Sequence, residues 1–316
     1  MVYNIKNEKR DIVIERKFTI TSNFDGLQIT GKIIGPNTNP KGIFQICHGM
    51  AENRKRYYDF MRYLANEGYV CVCHDHRGHG ESVKSKEDWG YFYDDSGQAI
   101  IDDAYQVGCM MKEEYPDLPL YLFGHSMGSM IVRRYLQEHD DILDKLIVCG
   151  SVSEQNLTAK AGIALVMFMR MLKGKRHRGR WLRQIVLGRN DGKFEGDVTN
   201  RWLCANLDSV LAYNEIEDCG FLFTNNGYKN LFTLMYKTYD KSLFQLKNKD
   251  VSILFIAGEE DPIILSEKKW LESQEFLKEL GYHDVSGILY PGLRHEILQE
   301  KNKVEIYEDI IKFISK

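Results

Sequence analysis

The chain has 316 residues, enough for one large hydrophobic core or for one domain with an insertion. Hydrophobic residues make up 43% and charged residues 28%, which is typical of globular proteins, and a net charge of -3 gives no overall attraction to nucleic acid. The N-terminus lacks the apolar core of a signal peptide, and the longest apolar run, 161–169, is about half a bilayer span. Seven scattered cysteines without a C-x-x-C pair indicate reduced thiols, so we expect a cytoplasmic protein.

Apolar stretches bounded by glycine and proline predict strands, and stretches with helical periodicity lie between them. The predicted strands are 12–20, 27–35, 42–49, 69–76, 118–125, 145–152, 251–258 and 285–292. The predicted helices between and after them are 56–66, 96–115, 127–139, 266–280 and 302–315. Buried strands that alternate with helices indicate an α/β fold, in which a mostly parallel sheet carries helices on both faces.

The alternation stops between residues 153 and 247, where strand patterns are few. Helical stretches are predicted there at 157–172, 197–213 and 226–239. We therefore predict a core formed by 1–152 and 248–316, with 153–247 inserted after the sixth strand as a helical lid. Such an insertion emerges at the sheet edge where ligands bind.

The stretch "GHSMG" (124–128) lies where a predicted strand meets a predicted helix. A serine nucleophile must project from the sheet on a sharp turn, and glycines two residues before and after it relieve the crowding of that turn. Gly124 and Gly128 occupy these positions around Ser126. The pentapeptide alone is weak evidence, but its strand–turn–helix context predicts that Ser126 is a nucleophile.

A serine nucleophile needs a histidine base within reach, and four histidines follow Ser126 in the chain. His139 is placed at the far end of the helix that starts beside Ser126, and His177 lies in a basic run of the insertion. His283 precedes the last strand, at the opposite sheet edge. His295 follows that strand and reaches the same edge as Ser126, so we predict that it is the base.

The acid that orients the base is expected in the loop after the preceding strand, where Glu259, Glu260 and Asp261 stand together. Asp261 precedes a proline, which favours an extended backbone, so we choose it and keep Glu260 as the alternative. For the oxyanion we predict the backbone N–H groups of Met50, after the third strand, and of Met127, at the start of the helix.

The run "CHDHRGHGES" (73–82) concentrates three histidines and two carboxylates, a composition that can bind a metal ion. Its spacing differs from that of structural zinc sites, and a loop can carry such residues for hydrogen bonding alone. We expect no metal and no cofactor.

Several motifs together resemble the monoacylglycerol lipase and lysophospholipase family of α/β-hydrolase serine hydrolases. They are "HGMAENRKRY" (48–57), "GYVCVCHDHRGHGES" (68–82), "GHSMG" (124–128), "GEEDPI" (258–263) and "YPGLRHEILQE" (290–300), with a lid segment at 201–219. The resemblance implies the α/β-hydrolase fold, the triad Ser126, Asp261 and His295, and the amides of Met50 and Met127 as oxyanion donors. The chain departs from the family pattern at Ser129 and Asn53, neither of which belongs to the triad.

The substrate implied by this resemblance is a monoacylglycerol or lysophospholipid-like acyl ester, with an aminopeptidase-like amide hydrolase and a non-catalytic binding protein as alternatives. We expect His48, Gly49 and His125 beside the ester, and Met167 and Met171 of the apolar run beside an acyl chain. The basic run 173–183 follows that apolar run directly. It is either a solvated loop or a surface through which the lid meets anionic lipids. The oligomeric state cannot be read from the sequence.

Overall fold

The computed structural model describes residues 13–188 and 190–316, so the first residue of the predicted strand 12–20 lies outside the described residues. Eight strands form one sheet. They are β1 (Val13–Thr21), β2 (Gln28–Pro36), β3 (Ile43–Cys47), β4 (Val70–His74), β5 (Leu120–His125), β6 (Lys145–Cys149), β7 (Ser252–Gly258) and β8 (Val285–Tyr290). Each of them coincides with a predicted strand to within a few residues.

The strand order in the sheet is β1-β2-β4-β3-β5-β6-β7-β8. The pairs β1–β2 and β2–β4 are antiparallel, and the five remaining pairs are parallel. Strands β3 to β6 are almost wholly buried, because helices cover both faces of a parallel sheet. The sequence shows this as continuous apolar runs rather than alternation.

Five helices pack on the sheet. They are α1 (Tyr58–Asn66), α2 (Ala99–Glu114), α3 (Met127–His139), α8 (Glu267–Leu280) and α9 (Lys303–Ile314). Helices α1 and α9 share one apolar cluster with the sheet, and α2, α3 and α8 share the other. All parallel strands therefore end at one edge, to which the loops after β3, β5, β7 and β8 bring the predicted site residues.

The described residues between β6 and β7 contain no strand. Four α-helices lie there: α4 (Asn156–Lys173), α5 (Arg180–Val186), α6 (Leu207–Glu215) and α7 (Asn225–Lys237). Helix α5 falls in the basic run that we considered as a loop. Helix α6 begins ten residues later than the predicted 197, because Asn200 adopts a left-handed backbone conformation with φ of 67° and only a short 3-10 turn, Arg201–Leu203, follows it. Within the described part of the chain, no helix is both long and apolar enough to cross a membrane.

Candidate active site

Ser126 lies on a strained turn between β5 and α3. Its backbone has φ of 55° and ψ of -116°, a conformation that non-glycine residues rarely adopt. A Cβ atom at Gly124 would overlap the carbonyl oxygen of Gly128, and one at Gly128 would overlap that of Cys47. The two glycines are therefore required by the close approach of α3 to β5 and β3, as the G-x-S-x-G spacing predicts.

Asp261 and His295 form a buried hydrogen-bonded pair. The His295 ring donates from Nδ1 to Oδ2 of Asp261 at 2.8 Å, and both side chains are at most 1% exposed. The other carboxylate oxygen, Oδ1, accepts the N–H of Ile263 at 2.8 Å, which fixes the orientation of the carboxylate. Because a carboxylate can only accept, the imidazole proton lies on Nδ1, so Nε2 of the neutral ring is a free base.

His295 and Ser126 face one cavity of about 210 Å³. No described residue lies within hydrogen-bond distance of His295 Nε2, although this atom is buried. In ligand-free sites the bond between base and nucleophile is often long and shortens when substrate binds. Glu260, the alternative acid, is exposed and lies 3.7 Å from the guanidinium of Arg294.

Met50 and Met127 line the same cavity as Ser126. Met50 follows β3, and Met127 is the first residue of α3, where helix N–H groups have no intrahelical acceptor. Neither amide N–H donates to another described residue. A Cβ atom added to Gly49 would lie 3.3 Å from Cβ of Ser126, so the loop after β3 passes directly beside the serine. Both amides are thus free to bind an anion next to Ser126.

His48, Gly49 and His125 are not among the residues that line the cavity. The buried His48 ring donates from Nδ1 to the carbonyl of Gly49 at 2.8 Å and accepts the N–H of His76 at Nε2 at 3.0 Å. His125 Nε2 lies 3.1 Å from the carbonyl oxygen of His295. These side chains support the loops that carry Met50 and His295, which differs from the predicted contact with the ester.

A buried charge network, which the sequence reasoning missed, connects those loops. The Arg56 guanidinium donates to Glu52 at 2.6 Å and, with both terminal nitrogens, to Glu296 at 2.6 Å. Glu52 also accepts from the Gly49 N–H at 2.5 Å and lies 3.3 Å from Nδ1 of His125. The sequence did contain a signal for this network: Glu52 lies two residues after Met50, and Glu296 directly follows His295.

The network perturbs the pKa values of its members. Burial would raise the pKa of Glu52, but the charges of Arg56 and His125 outweigh burial and hold that pKa well below its ordinary value of 4.5. Burial likewise would lower the pKa of His125, but its hydrogen bond to Glu52 and the charge of Glu52 raise it above 6.5. Because both partner oxygens accept, His125 donates from Nδ1 to Glu52 at 3.3 Å and from Nε2 to the His295 carbonyl at 3.1 Å.

The cavity wall is mostly apolar, and its apolar residues come from both the sheet edge and the helical segment. They include Met130, Val152, Trp202, Leu203, Leu231, Phe232, Met235, Ile263 and Leu265. The Trp202 ring lies 5.0 Å from the His295 ring. An apolar cavity with few convergent polar groups is typical of a site for a small apolar ligand.

Met167 and Met171 do not line this cavity, which corrects the expected acyl-chain contact. Met167 is 53% and Met171 is 74% exposed, on the outer face of α4. The inner face of α4 carries Ala159, Gly162 and Val166, which are buried, and a Cβ atom at Gly162 would overlap the Phe232 ring of α7. These small residues let α4 and α7 approach closely, so the methionines point outward.

No carboxylate that an exopeptidase would need for a substrate amine is free at the described cavity. The six candidates in the helical segment are Glu195, Asp197, Asp208, Glu215, Glu217 and Asp218, and none lines it. Glu52 and Glu296 do line it, but both are paired with Arg56. The cavity therefore lacks an uncompensated negative charge.

The run 73–82 forms part of the support behind the loop after β3. His79 accepts the N–H of Ala51 at Nε2 at 3.3 Å, and the His76 ring lies 4.2 Å from the His48 ring. The Asp75 carboxylate forms a buried ion pair with Arg54 and accepts the N–H of Glu81 at 2.8 Å. The side chains of this run therefore form hydrogen bonds, which is the alternative to metal binding that the sequence offered.

A family model described as serine aminopeptidase, S33, matches residues 38–302, which is most of the chain. The chain belongs to this family. A highly thermostable carboxyl esterase from Bacillus coagulans, crystallised with glycerol, has a similar structure. The TM-score is 0.87 at 27% identity, over 95% of this chain and 98% of that one. The match confirms the predicted α/β-hydrolase fold.

Two curated relatives are lipases or lipase homologues. A monoglyceride lipase homolog of monkeypox virus is 36% identical over 109 residues, which are 34% of this chain and 38% of that protein. A monoacylglycerol lipase of Mycolicibacterium smegmatis is 22% identical over 92% of this chain and 93% of its own length. The alignments with the first curated relatives thus span only about a third of their lengths. The resemblance to lipases that the motifs indicate is confirmed at the level of the family.

Proposed function

We propose that this chain is a serine hydrolase that cleaves carboxylic esters of acylglycerol-like substrates through an acyl-enzyme intermediate. The observation that carries the proposal is the buried Asp261–His295 pair, whose free Nε2 belongs to the same cavity as Ser126 on its strained turn. The lipase relatives and the esterase of similar structure support an ester as the substrate. The absence of a free carboxylate at the described cavity disfavours a peptide amine.

In the proposed reaction Ser126 Oγ attacks the ester carbonyl carbon while His295 Nε2 accepts the hydroxyl proton. The carbonyl oxygen becomes an oxyanion, which accepts hydrogen bonds from the Met50 and Met127 amides. The bond to the alcohol then breaks, and His295 gives its proton to the leaving alkoxide oxygen. A water molecule attacks the acyl-enzyme in the same way, with His295 again as base, and releases the carboxylic acid and Ser126. Asp261 stabilises the charged imidazole throughout.

The triad is tested by replacing Ser126 with alanine and measuring hydrolysis of p-nitrophenyl esters. The variant should retain the circular dichroism spectrum and thermal unfolding of the parent and lose its turnover. A matched control is Ser151→Ala, since Ser151 is buried near the same sheet edge but does not line the cavity. Comparable turnover in Ser126→Ala would refute the assignment, and faster cleavage of amino-acid p-nitroanilides than of esters would favour the amide alternative.

We further propose that residues 153–247 act as the lid of this site. Trp202, Leu231 and Phe232 of this segment line the same cavity as Ser126, which supports the proposal. All seven cysteines have free thiols, which supports a location in a reducing compartment such as the cytoplasm.

The outer face of α4 is the proposed contact with a lipid surface. Eight of its outward side chains are apolar, over a helix of 18 residues that is about 27 Å long. They are Leu157, Ala161, Ala164, Leu165, Met167, Phe168, Met171 and Leu172. A lipid surface fits this face because the proposed substrates reside in membranes and because the exposed Lys173, which can attract anionic headgroups, ends it. In the basic run that follows, Lys175 and Arg176 are paired with Asp95 and Asp88, which lowers the contribution of these two residues to lipid attraction.

This contact is tested by sedimentation with vesicles that contain phosphatidylglycerol. Phe168→Glu should weaken binding, because it places a charge on the apolar face. Leu271→Glu, at a similarly exposed apolar position on α8, should leave binding unchanged. Equal effects of the two substitutions would argue against α4 as the contact, and binding of neither parent nor variants to vesicles would exclude it.

A further inference from the structure

A second, more polar cavity adjoins the one that holds Ser126. It is open, has a volume of about 720 Å³, and is lined mainly by polar side chains of the helical segment. Four of the residues that line both cavities are Arg183, Asn200, Trp202 and Tyr213. A ligand that occupies the first cavity can therefore extend a polar group into the second.

Arg183 is the cation at this boundary. Its guanidinium donates to the carbonyl oxygen of Gly220 at 3.1 Å and to Oδ1 of Asn200 at 3.2 Å. Both acceptors are neutral, and no carboxylate of the described residues lies within ion-pair distance of Arg183. A guanidinium has five N–H donors, so most of its donors remain available. A partly buried cation without a counter-ion favours binding of an anion.

The charges of the described residues that line the polar cavity sum to a net positive value. Arg180 and Arg183 contribute two positive charges, and Asp191 contributes one negative charge. The Asp191 carboxylate accepts the backbone N–H of Asn200 at 2.9 Å and that of Trp202 at 3.4 Å, so it is already hydrogen-bonded to this loop. The cations among the described residues that line this cavity are thus the two arginines.

The polar cavity adjoins the loop that carries the Met50 amide. The Tyr213 hydroxyl donates to the carbonyl oxygen of Ala51 at 3.0 Å, and Tyr213 lines both cavities. The apolar residues Leu231 and Phe232 line only the cavity of Ser126. An acyl chain is stabilised against the apolar wall, which directs the alcohol part of an ester toward Tyr213 and Arg183.

From this arrangement we infer that Arg183, with Arg180, binds a phosphate group carried by the alcohol part of the ester. The inference rests on the proposed ester hydrolysis and narrows its substrate class to acylated glycerol phosphates. A phosphate has a charge of about -1.5 to -2 at neutral pH and three acceptor oxygens, which match the fork of an arginine. The neutral headgroup of a monoacylglycerol leaves the charge of Arg183 without a partner.

The test compares 1-acylglycerol 3-phosphate with 1-acylglycerol of the same acyl chain, both below their critical micelle concentrations. Arg183→Gln should lower kcat/KM for the phosphate ester by about tenfold or more and change that for the neutral ester less than about twofold, because only the former loses a charged hydrogen bond. Arg183→Lys should restore part of the difference. Lys193→Gln removes an exposed charge of the helical segment that lines neither cavity, and it should affect neither substrate.

A second measurement uses the unmodified protein. Glycerol 3-phosphate should inhibit hydrolysis of a soluble p-nitrophenyl ester at least about tenfold more strongly than glycerol does. Equal inhibition by the two alcohols would overturn the inference, and so would equal losses of kcat/KM for the two esters in Arg183→Gln. Arg183 would then have only a structural role, through its hydrogen bonds to Gly220 and Asn200. If the unmodified protein cleaved no ester at all, the proposed function itself would fail instead.

Discussion

Removal of the Arg56 side-chain charge tests the buried charge network next to the site. Its guanidinium lies between Glu52 and Glu296, 2.6 Å from an oxygen of each, and all three side chains are at most 8% exposed. In Arg56→Met the side chain keeps much of its volume, but the guanidinium between the two carboxylates is lost. Glu52 then loses the charge that holds its pKa below the ordinary value.

The expected loss of stability is about 3–5 kcal/mol, the range for breaking a buried ion pair by removing one partner. The unfolding entropy of a 316-residue chain is about 0.66 kcal/mol/K near 60 °C, from about 2.1 cal/mol/K for each residue. The melting temperature should therefore fall by about 5–8 °C. Arg62→Met is the matched control, because Arg62 is 45% exposed and pairs with the partly exposed Glu15 at 2.7 Å. An exposed pair contributes at most about 1 kcal/mol, or about 1.5 °C.

The difference in melting temperature should also depend on pH. The folded-state pKa of Glu52 is depressed, so its stabilising contribution is fully present above the ordinary value of 4.5 and is lost as the pH falls through the lower folded value. In Arg56→Met the strongest charge that opposes burial is lost, so the pKa of Glu52 rises relative to the parent and the carboxylate becomes protonated at a higher pH. The gap between parent and variant should thus be widest near pH 8 and narrow toward pH 5.

Differential scanning calorimetry of the parent and the two variants across this pH range measures both effects. A melting temperature of Arg56→Met within about 1.5 °C of that of Arg62→Met would refute the description of the network as a buried, coupled charge cluster. A gap that widened on acidification would contradict the pKa reasoning for Glu52.

Three further predictions concern the site and its cover. Asp261→Asn should lower kcat by about 10³–10⁴ with an unchanged circular dichroism spectrum, since the amide favours the wrong imidazole tautomer; a loss below tenfold would contradict the role of Asp261. Gly128→Ala should reduce soluble expression and activity, because its Cβ would overlap a backbone carbonyl of β3, whereas Gly192→Ala, with open space around it, should behave as the parent. Met171→Ala should change KM for soluble p-nitrophenyl butyrate less than about twofold, as expected for an exposed side chain; a larger change would place Met171 at the substrate.

The sheet and the turn at Ser126 were predictable because local sequence determines them. Buried parallel strands read as apolar runs, and the glycines around Ser126 mark a turn that no larger residue can form. The order of strands along the chain then placed Asp261 and His295 at the same sheet edge as Ser126, and the two side chains are 2.8 Å apart.

The orientation of α4 and the charge network could not be predicted from local sequence. Both faces of α4 are apolar, so hydropathy does not tell which face packs; the small residue Gly162 opposite Phe232 decides it. Arg56 and Glu296 are 240 residues apart in sequence, and only the folded chain brings them together. Isolated charged residues in a sequence are usually solvated, so burial of this set became visible only in three dimensions.

The most direct test of the central claim is labelling with a fluorophosphonate probe, followed by mass spectrometry of the intact protein and of its peptides. The account predicts one adduct, on the peptide that contains Ser126, that is absent from Ser126→Ala and strongly slowed in Asp261→Asn. An unlabelled parent protein, or an adduct on a different serine, would contradict the claim that Ser126 is the activated nucleophile.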